Sequence, residues 1–290
     1  MAQALPDVDR RQIVAGLQSL GLHTGIGVMI HSSLSSFGRV AGGAETVIDA
    51  LMEVVTPSGT LMVPSFNHGE PFGESGSGVY DPLATRTTNG AIPDHFWRRP
   101  DVYRSLNPTH AFAAWGKHAR RYIAGHHRTL TMGLDSPLGL LLEDDGYGLL
   151  LGVDYRSNTF HHVVEMSTGA PCLGRRTEAY PVQLPDGLLV EGRTWGWRAS
   201  SCPLTDGHRY GGEMEARELH VEILIGECRA ILYRLRDCYE LVAGILQTGA
   251  DGYPPCRQCP VRPRSVAETV DSDWDDARGM LAEDSVAWEY

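Results

Sequence analysis

Hydrophobic and polar positions follow two different periods in the first part of the chain. Residues 9–20 carry apolar side chains at helical spacing, and residues 25–33 form a short apolar run ending in small polar residues, as a buried strand and its loop do. Residues 41–55 again have helical spacing and end before Pro57, and residues 59–66 form a second apolar run. This order predicts two parallel strands joined by a crossover helix.

The remainder of the chain alternates between short helical and short strand-like patterns. Residues 67–89 are rich in Gly, Pro, Asp and Thr, and a loop of this length inside a domain is usually functional. The further elements expected are a helix at 91–100, a strand at 110–116, helices at 117–127 and 136–146, a strand at 147–153, a helix start at 158–168, antiparallel strands within 176–200, and one or two helices within 212–247. Because no repeat or linker interrupts them, we expect a single α/β domain over residues 1–290, with a surface extension from about residue 250.

The composition is that of an ordinary soluble enzyme, with 42% hydrophobic and 21% charged residues. A formal net charge of −11 argues against nucleic acid as a partner, which would need a basic surface. An acidic surface attracts cationic small molecules, although solubility alone also accounts for it. No apolar run reaches the roughly 18 residues of a membrane-spanning helix, and the N-terminal residues lack the pattern of a signal peptide. A cytoplasmic protein without a membrane partner is therefore expected.

The segment "NTFHHVVE", residues 158–165, carries the most specific candidate chemistry. It follows directly on an apolar strand, and open α/β sheets bind ligands at the carboxyl ends of their strands. On a helix, His161 and His162 lie four and three residues before Glu165, so either imidazole can meet the carboxylate. Such a pair provides a general base, although two polar residues on a wet surface give the same pattern.

Two histidines and a glutamate also suit a metal ion. A metal-dependent hydrolase built from His161, His162 and Glu165, with outlying histidines such as His31 and His110, is therefore an alternative of another class. The HExxH pattern of zinc peptidases is absent, as are the GxSxG and GxGxxG patterns of serine hydrolases and dehydrogenases. The cluster alone does not separate a metal site from a proton-transfer pair.

The six cysteines include one close pair, Cys256 and Cys259, which form a CxxC. In a cytoplasmic protein of this size, reduced thiols are the expectation. The pair leaves three interpretations open: unpaired thiols, a structural metal held together with Cys202 or His208, and a redox pair.

Two loops have the composition of a phosphate site. "HSSLSSFG", residues 31–38, lies between a strand and a helix N-terminus, where small residues let backbone N–H groups approach an anion. "DPLATRTTNG", residues 81–90, offers hydroxyl groups and Arg86. An ordinary strand-to-helix turn and a side-chain-stabilised turn explain the same segments without a ligand.

Four segments, taken in order, resemble the aminoglycoside 3-N-acetyltransferase family, the antibiotic N-acetyltransferases. They are "HSSLSSFGRVAGGAETVIDAL", "GTLMVPSF", "YDPLATRTTNGAIPDHFWRRPDVYRSLNPTHAFAAWG" and "MGLDSPLGLLLEDDGYGLLLGVDYRSNTFHHVVE". The resemblance runs from about residue 10 to about residue 180. It implies an α/β fold with a central mixed, largely parallel sheet flanked by helices, unlike that of the GNAT acetyltransferases. It also implies acetyl transfer from acetyl-CoA to an amine, without a catalytic metal.

The resemblance further implies roles for individual residues. His162 would be the general base and Glu165 the residue that orients it, which leaves His161 as a bystander. The residues expected to contact the pyrophosphate and pantetheine arm of the coenzyme are His31, Ser32, Ser33, Leu34 and Ser35. Those expected to contact its adenosine phosphates or its arm are Thr85, Arg86 and Ser105.

The acceptor side departs from the family pattern. Asn107 and Ala111 stand where that pattern has histidine and serine, so the acceptor is expected to be bound differently. Asp206 and Glu213 are candidates for binding it, although an acidic helix start explains them as well. The acceptor implied is the 3-amino group of an aminoglycoside, as in antibiotic resistance, or the amine of another natural product. Analogy with relatives allows a homodimer.

Overall fold

A seven-stranded mixed sheet forms the centre of the protein. The computed structural model describes residues 7–168, 177–195 and 204–248. Its strands are β1 (Gly27–Ser32), β2 (Thr60–Pro64), β3 (Tyr103–Arg104), β4 (Phe112–Gly116), β5 (Tyr147–Leu151), β6 (Thr177–Gln183), β7 (Leu189–Trp195), β8 (His220–Ile225) and β9 (Cys228–Arg234). The order across the central sheet is β3–β4–β2–β1–β5–β9–β8, and β6 and β7 form a separate two-stranded sheet.

Helices cover both faces of the central sheet. They are α1 (Arg10–Leu20), α2 (Gly43–Val55), α3 (Ala91–Phe96), α4 (Ala119–Ile123), α5 (Pro137–Glu143), α6 (His161–Ser167), α7 (Gly207–Ala216) and α8 (Leu235–Thr248). One buried apolar cluster joins α1, α2 and α3 to the sheet, and a second joins α4 to α8 to it. Along β1, Val28 and Ile30 belong to the first cluster and Met29 to the second, because successive strand residues point to opposite faces.

The predicted strand–helix–strand unit is confirmed. β1 and β2 are parallel, with Val28 opposite Leu61, and α2 connects them. β1 also pairs in parallel with β5, with His31 opposite Leu150. These strands are apolar on both faces because helices cover both. The carboxyl ends of β1 and β5 therefore lie side by side at one edge of the sheet, where the loops carrying the predicted site residues begin.

The predicted α/β class with a mixed central sheet is confirmed, but the expectation of a largely parallel sheet is wrong. Among the described strands, the β1–β2 and β1–β5 pairs are parallel, and the other pairings of the central sheet are antiparallel. In the sequence pattern, only the first strand–helix–strand unit predicted parallel strands. β4 and β9, which flank the three parallel strands, run in the opposite direction, and the outermost strands β3 and β8 run in the same direction as β1.

The expectation of one or two helices within 212–247 is met by the end of α7 and by α8, but it missed the antiparallel hairpin of β8 and β9 between them. Gly226 and Glu227 form the two-residue connection, and Gly226 has a φ of 62°, in the left-handed region that favours glycine. Such a turn matches the twist of the two strands. The hairpin places β9 directly beside β5.

Helix α5 begins where its sequence predicts. Pro137 is its first residue, and the Ser136 hydroxyl accepts the N–H of Gly139 at 3.3 Å, which caps the helix. The antiparallel strands expected within 176–200 are β6 and β7. Both predictions depended on local signals, and both are confirmed.

Some expectations concern residues outside the described part of the chain. Cys256 and Cys259 lie there, with Cys202 and the extension from about residue 250, so the interpretations of the CxxC pair stay open. Across residues 7–168, 177–195 and 204–248, no helix combines the length and the apolar character required to cross a bilayer.

Gly148 in β5 tests how tightly the sheet is packed beside the site. A Cβ at this position would lie 2.1 Å from Cζ of the buried Tyr233, its partner in β9. We expect Gly148→Ala to lower the free energy of unfolding by about 1–3 kcal/mol through overpacking. Urea unfolding followed by circular dichroism measures this change.

The matched control is Gly212→Ala in α7. A Cβ there meets nothing within 4 Å, and alanine is favoured over glycine inside a helix by about 0.5–1 kcal/mol. We therefore expect Gly212→Ala to raise the free energy of unfolding. Equal effects of the two variants would contradict the packing of Gly148 against Tyr233.

Candidate active site

The catalytic candidates stand on α6, just beyond the carboxyl end of β5. A 3₁₀ turn, Tyr155–Ser157, leads from the strand toward the helix. The side-chain oxygen of the buried Asn158 then accepts the N–H of Phe160 at 3.1 Å, which forms an Asx turn. This turn fixes the point at which α6 begins.

His162 and Glu165 make the contact that their spacing predicts. Nδ1 of His162 lies 2.8 Å from Oε2 of Glu165, one helical turn further on. The Glu165 side chain has no exposed surface, whereas 27% of the His162 side chain is exposed. A partly exposed imidazole backed by a buried carboxylate is suited to proton transfer.

A second donor holds the other oxygen of Glu165. The hydroxyl of the buried Thr205 donates to Oε1. Thr205 lies just before α7, whose first residue, Gly207, packs closely against Arg156. A Cβ on Gly207 would lie 2.4 Å from the backbone nitrogen of Arg156. The start of α7 is therefore seated against the turn that leads into α6.

The end of β1 is tied to the same turn. Nε2 of His31 accepts the backbone N–H of Thr159 at 3.3 Å and lies 3.1 Å from its hydroxyl. Because Nε2 accepts, the proton of the neutral ring is on Nδ1. That nitrogen is buried and has no hydrogen-bond partner among the described residues. Burial lowers the pKa of His31 to about 4.

The serine-rich loop after β1 forms a 3₁₀ helix, Leu34–Phe37, before the chain reaches α2. The hydroxyl oxygens of Ser33 and Ser35 lie 3.1 Å apart, and the Ser36 hydroxyl donates to the Ser33 carbonyl at 2.7 Å. Oγ of Ser32 is buried and lacks a partner among the residues described. The loop is thus compact, and its contact with a coenzyme stays a prediction.

A cleft of about 600 Å³ opens beside this loop. Its lining combines polar and apolar surface and consists of Ser36, Gly152, Val153, Asp154, Arg156, Ser157, Glu227 and Arg229. Arg156 forms an ion pair with Asp154 at 2.7 Å, and Arg229 pairs with Glu222. Guanidinium groups suit phosphate oxygens, but a phosphate bound here would have to share these two groups with their carboxylate partners.

The other residues predicted to bind the coenzyme lie in environments that differ from one another. The hydroxyl of Thr85 accepts the N–H of Asp81 at 3.0 Å, so it belongs to the side-chain-stabilised turn that the composition also allows. Arg86 is exposed. Ser105 is fully buried, and its hydroxyl lies 2.8 Å from Nδ1 of His126. Coenzyme binding by Thr85, Arg86 and Ser105 stays a prediction.

Asp206 and Glu213, the candidates for the acceptor side, both lie on α7. Asp206 is its N-cap and accepts the N–H groups of His208 and Arg209 at 3.1 and 3.3 Å. Glu213 is exposed and forms an i,i+4 ion pair with Arg217 at 3.1 Å. Both carboxylates have local helical roles, and acceptor binding by them stays a prediction.

Asn107, the first departure from the family pattern, has a structural role. Its Oδ1 accepts the N–H groups of Thr109 and His110 at 3.2 and 2.9 Å, and its Nδ2 donates to the carbonyl of Arg193 at 3.2 Å. Ala111 is fully buried. Asn107 therefore shapes the loop before β4 and ties it to β7.

His161 lies beside the predicted base. Its ring centre is 4.0 Å from that of His162, and its Nδ1 is 3.4 Å from the Tyr210 hydroxyl. The metal-binding atoms of His161, His162 and Glu165 lie within 4.8 Å of one another. Both oxygens of Glu165 already face protein donors, His162 and Thr205. A metal ion at this cluster would therefore share Glu165 with these two donors.

Two features of the site were missed at the level of sequence. No spacing rule connects Thr205 with Glu165, and the only local signal near Thr205 is the helix start at Asp206. The second feature is a histidine contact behind the site, where the rings of His68 and His110 lie 5.4 Å apart. Burial, with a smaller effect of His68 and His162, lowers the pKa of His110 to about 3.

Sequence comparison places these residues in a known family. A family model described as aminoglycoside 3-N-acetyltransferase matches residues 29–247. The SPβ prophage-derived aminoglycoside N(3′)-acetyltransferase-like protein YokD of Bacillus subtilis is 37% identical over 174 residues, 54% of this chain and 64% of YokD. Aminoglycoside N(3)-acetyltransferase VII of Streptomyces paromomycinus is 37% identical over 204 residues, 65% of this chain and 69% of that protein. The aligned region thus spans less than two thirds of YokD.

Solved structures agree on the fold. The crystal structure of YokD from Bacillus subtilis is similar with a TM-score of 0.74 and 28% identity, covering 86% of this chain and 96% of YokD. A mutant of the aminoglycoside acetyltransferase AAC(3)-IVa, solved in complex with a gentamicin, has a TM-score of 0.72 and 27% identity, covering 86% of this chain and 92% of that one. The arrangement of the sheet and helices is therefore shared with these proteins.

Buried histidines in and behind the site make stability dependent on pH. Burial lowers the pKa of His31 to about 4 and that of His126 to about 3. Below the unfolded value of about 6.5, the unfolded chain binds protons that the folded protein does not. These histidines therefore do not lower the free energy of unfolding above pH 6.5. Each lowers it progressively as the pH falls from 6.5 toward its folded pKa. We expect a loss of about 1.4 kcal/mol per pH unit for each, measured by urea unfolding between pH 7 and 4.5.

His126→Gln tests this assignment. The quantity to compare is the slope of the free energy of unfolding against pH, because a loss of stability that is equal at every pH leaves this slope unchanged. We expect a shallower slope than in the unsubstituted protein. The same change at the exposed His23 controls for the side chain introduced. An unchanged slope in the His126 variant would show that this ring is not excluded from protonation by folding.

Proposed function

Because the chain belongs to the aminoglycoside 3-N-acetyltransferase family, we propose that it transfers the acetyl group of acetyl-CoA to an amine of a cationic acceptor. In this proposal His162 is the general base, and Glu165 orients it and balances its charge. The observation that carries the proposal is the 2.8 Å contact between Nδ1 of His162 and the fully buried carboxylate of Glu165.

The base is needed because a protonated amine is not a nucleophile. As the acceptor nitrogen bonds to the thioester carbonyl carbon, its proton passes to Nε2 of His162, the nitrogen that does not face Glu165. The tetrahedral adduct then collapses, and the carbon–sulfur bond breaks. The sulfur leaves with the bonding electrons and takes the proton that His162 received, so the products are the acetylated amine and coenzyme A, and His162 is neutral again.

Glu165 acts on this step through the other nitrogen of the ring. A hydrogen bond from Nδ1 to the carboxylate keeps the lone pair on Nε2, where the acceptor proton arrives. Once His162 is protonated, the adjacent anion stabilises the imidazolium. The attraction between the two charges is stronger beside a buried group than in water. A glutamate at this position therefore supports both the orientation and the charge of the base.

We assign the coenzyme to the edge of the sheet at the ends of β1 and β5. His31, with the loop of Ser32, Ser33, Leu34 and Ser35, would contact the pyrophosphate and the pantetheine arm. The neighbouring cleft of about 600 Å³ has the room for part of the coenzyme, and its guanidinium groups suit the phosphates. Thr85 and Arg86 stay predicted contacts of the coenzyme, whereas the fully buried Ser105 would contact it only after a local rearrangement.

We propose an aminoglycoside, acetylated on its 3-amino group, as the acceptor. The similar AAC(3)-IVa is described in complex with a gentamicin, and the Streptomyces paromomycinus relative is named an aminoglycoside N(3)-acetyltransferase. The net charge of −11 favours a cationic molecule. Asn107 and Ala111 support the second candidate, a natural-product amine of another class, because they change the loop on the predicted acceptor side.

A metal-dependent hydrolase is not proposed. His161, His162 and Glu165 are close enough to share an ion. However, the carboxylate oxygens of Glu165 face a histidine and a threonine hydroxyl. This is the arrangement of a carboxylate that orients a base, and it serves proton transfer directly.

Paired histidine variants test the base. We expect His162→Ala to lower kcat by about 10²–10⁴-fold, the usual contribution of a general base, in a thiol-release assay with acetyl-CoA and an accepted aminoglycoside. His161→Ala is the matched control, because it removes the neighbouring ring and leaves the His162–Glu165 pair in place. Its kcat should stay within about threefold of the unsubstituted enzyme. Equal losses in the two variants would contradict the assignment of His162.

A panel of acceptors tests the substrate class with the same assay. We expect turnover with aminoglycosides that carry a free 3-amino group, and none with derivatives already acetylated there. Mass spectrometry of the product then locates the added acetyl group. Turnover with simple amino compounds but with no aminoglycoside would replace the first acceptor class by the second. A chain that does not bind coenzyme A by calorimetry would refute acetyl transfer itself.

A further inference from the structure

The Glu165 carboxylate has no exposed surface and must be negatively charged to support His162 as proposed. Removing a carboxylate from water is costly unless protein donors replace the lost hydration. A buried carboxylate can accept several hydrogen bonds, and each donor favours the charged form over the protonated form. The donors around Glu165 are therefore part of what allows His162 to take up a proton.

Thr205 supplies one of these donors from a distant part of the sequence. Its hydroxyl donates to Oε1 of Glu165, while His162 contacts Oε2. The two oxygens are thus held from different directions, one from the same helix and one from the segment before α7. A carboxylate fixed at both oxygens cannot rotate away from the imidazole without breaking a hydrogen bond.

The position of the Thr205 hydroxyl is itself fixed by the fold. Thr205 is 2% exposed, and its β-branched side chain has few rotamers. The next residue, Asp206, caps α7 with its side chain. Gly207 then packs against the backbone of Tyr155 and Arg156. A Cβ on Gly207 would lie 2.4 Å from the nitrogen of Arg156 and 2.5 Å from the carbonyl carbon of Tyr155. The start of α7 thus holds the hydroxyl over Glu165.

We infer that Thr205 is a positioning residue for the general base, an inference that rests on the proposed acetyl transfer. Its hydroxyl holds the Glu165 carboxylate charged and correctly oriented, and through it fixes the tautomer of His162 and stabilises the imidazolium. Thr205 itself touches no reacting atom. Its effect therefore falls on the step in which the proton moves, and not on the binding of acetyl-CoA or the acceptor.

Thr205→Val removes the hydroxyl and keeps the branched shape. We expect kcat to fall about tenfold, since a hydrogen bond to a charged group is lost, with the KM values for acetyl-CoA and acceptor within about twofold. Thr205→Ser retains the donor and should restore most of kcat. A loss that appears mainly in KM, or a serine variant as slow as the valine variant, would overturn the inference.

Thr60→Val is the matched control for loss of a buried threonine hydroxyl. Thr60 is 1% exposed, and its hydroxyl accepts the N–H of His118 at 3.0 Å. It begins β2, at the opposite edge of the sheet from the carboxyl ends of β1 and β5. We expect a similar effect on the urea midpoint from this variant but no tenfold loss of kcat. A tenfold loss in both variants would indicate a general effect of stability.

A double-substitution cycle separates positioning from an independent structural effect. If Thr205 acts through the carboxylate, Thr205→Val should lower kcat by less than about twofold when Glu165→Gln is already present. If Thr205 acts independently, it should lower kcat by its full factor in both backgrounds. The first result supports the inference, and the second refutes it.

The same four proteins also test the contact without turnover. Their urea midpoints should show non-additive effects of the two substitutions, because Thr205→Val removes the hydrogen bond and Glu165→Gln changes its acceptor from a charged carboxylate to a neutral amide oxygen. Coupling in the midpoints, in a protein that acetylates no amine, would refute the proposed function and retain the contact. Additive midpoints together with normal acetyl transfer would refute the role of Thr205 and retain the proposed function.

Discussion

The proposed general base requires a carboxylate that stays charged inside the protein. Glu165 lies in the α6 layer, away from water, and an ion there is costly unless donors surround it. His162 faces one of its oxygens from the preceding turn, and Thr205 donates to the other from the start of α7. The packing of α7 against the turn before α6 therefore contributes to the proposed reaction by holding Thr205 beside Glu165, although α7 carries no predicted base.

The proposed function has a second requirement, which is that the predicted coenzyme loop lies beside the predicted base. Parallel pairing of β1 with β5 brings their carboxyl ends together, and the contact of His31 with Thr159 joins the two loops that leave them. Both strands are buried on both faces, so the loops start from fixed positions. The predicted coenzyme loop and helix α6 thus both start from the same buried strand pair.

Part of the fold and of the candidate site could be predicted from local signals in the sequence. The three-residue spacing of His162 and Glu165, the crossover unit and the cap at Ser136 depend on neighbours along the chain, and each is found as predicted. The β8–β9 hairpin was missed because short apolar runs also fit a helix, although the glycine at 226 between two such runs favours a turn. Thr205 could not be found in this way, because its contact with Glu165 is created by the packing of α7.

The place of β9 in the sheet has a consequence for how the chain folds. β5, which leads into the catalytic helix, lies between β1 and β9. Its pairing with β9 brings Leu149 opposite Leu232, residues far apart in sequence. Such contacts raise the contact order of the fold and slow its formation. During synthesis, one edge of β5 therefore stays without its partner strand until the hairpin that follows α7 has been made.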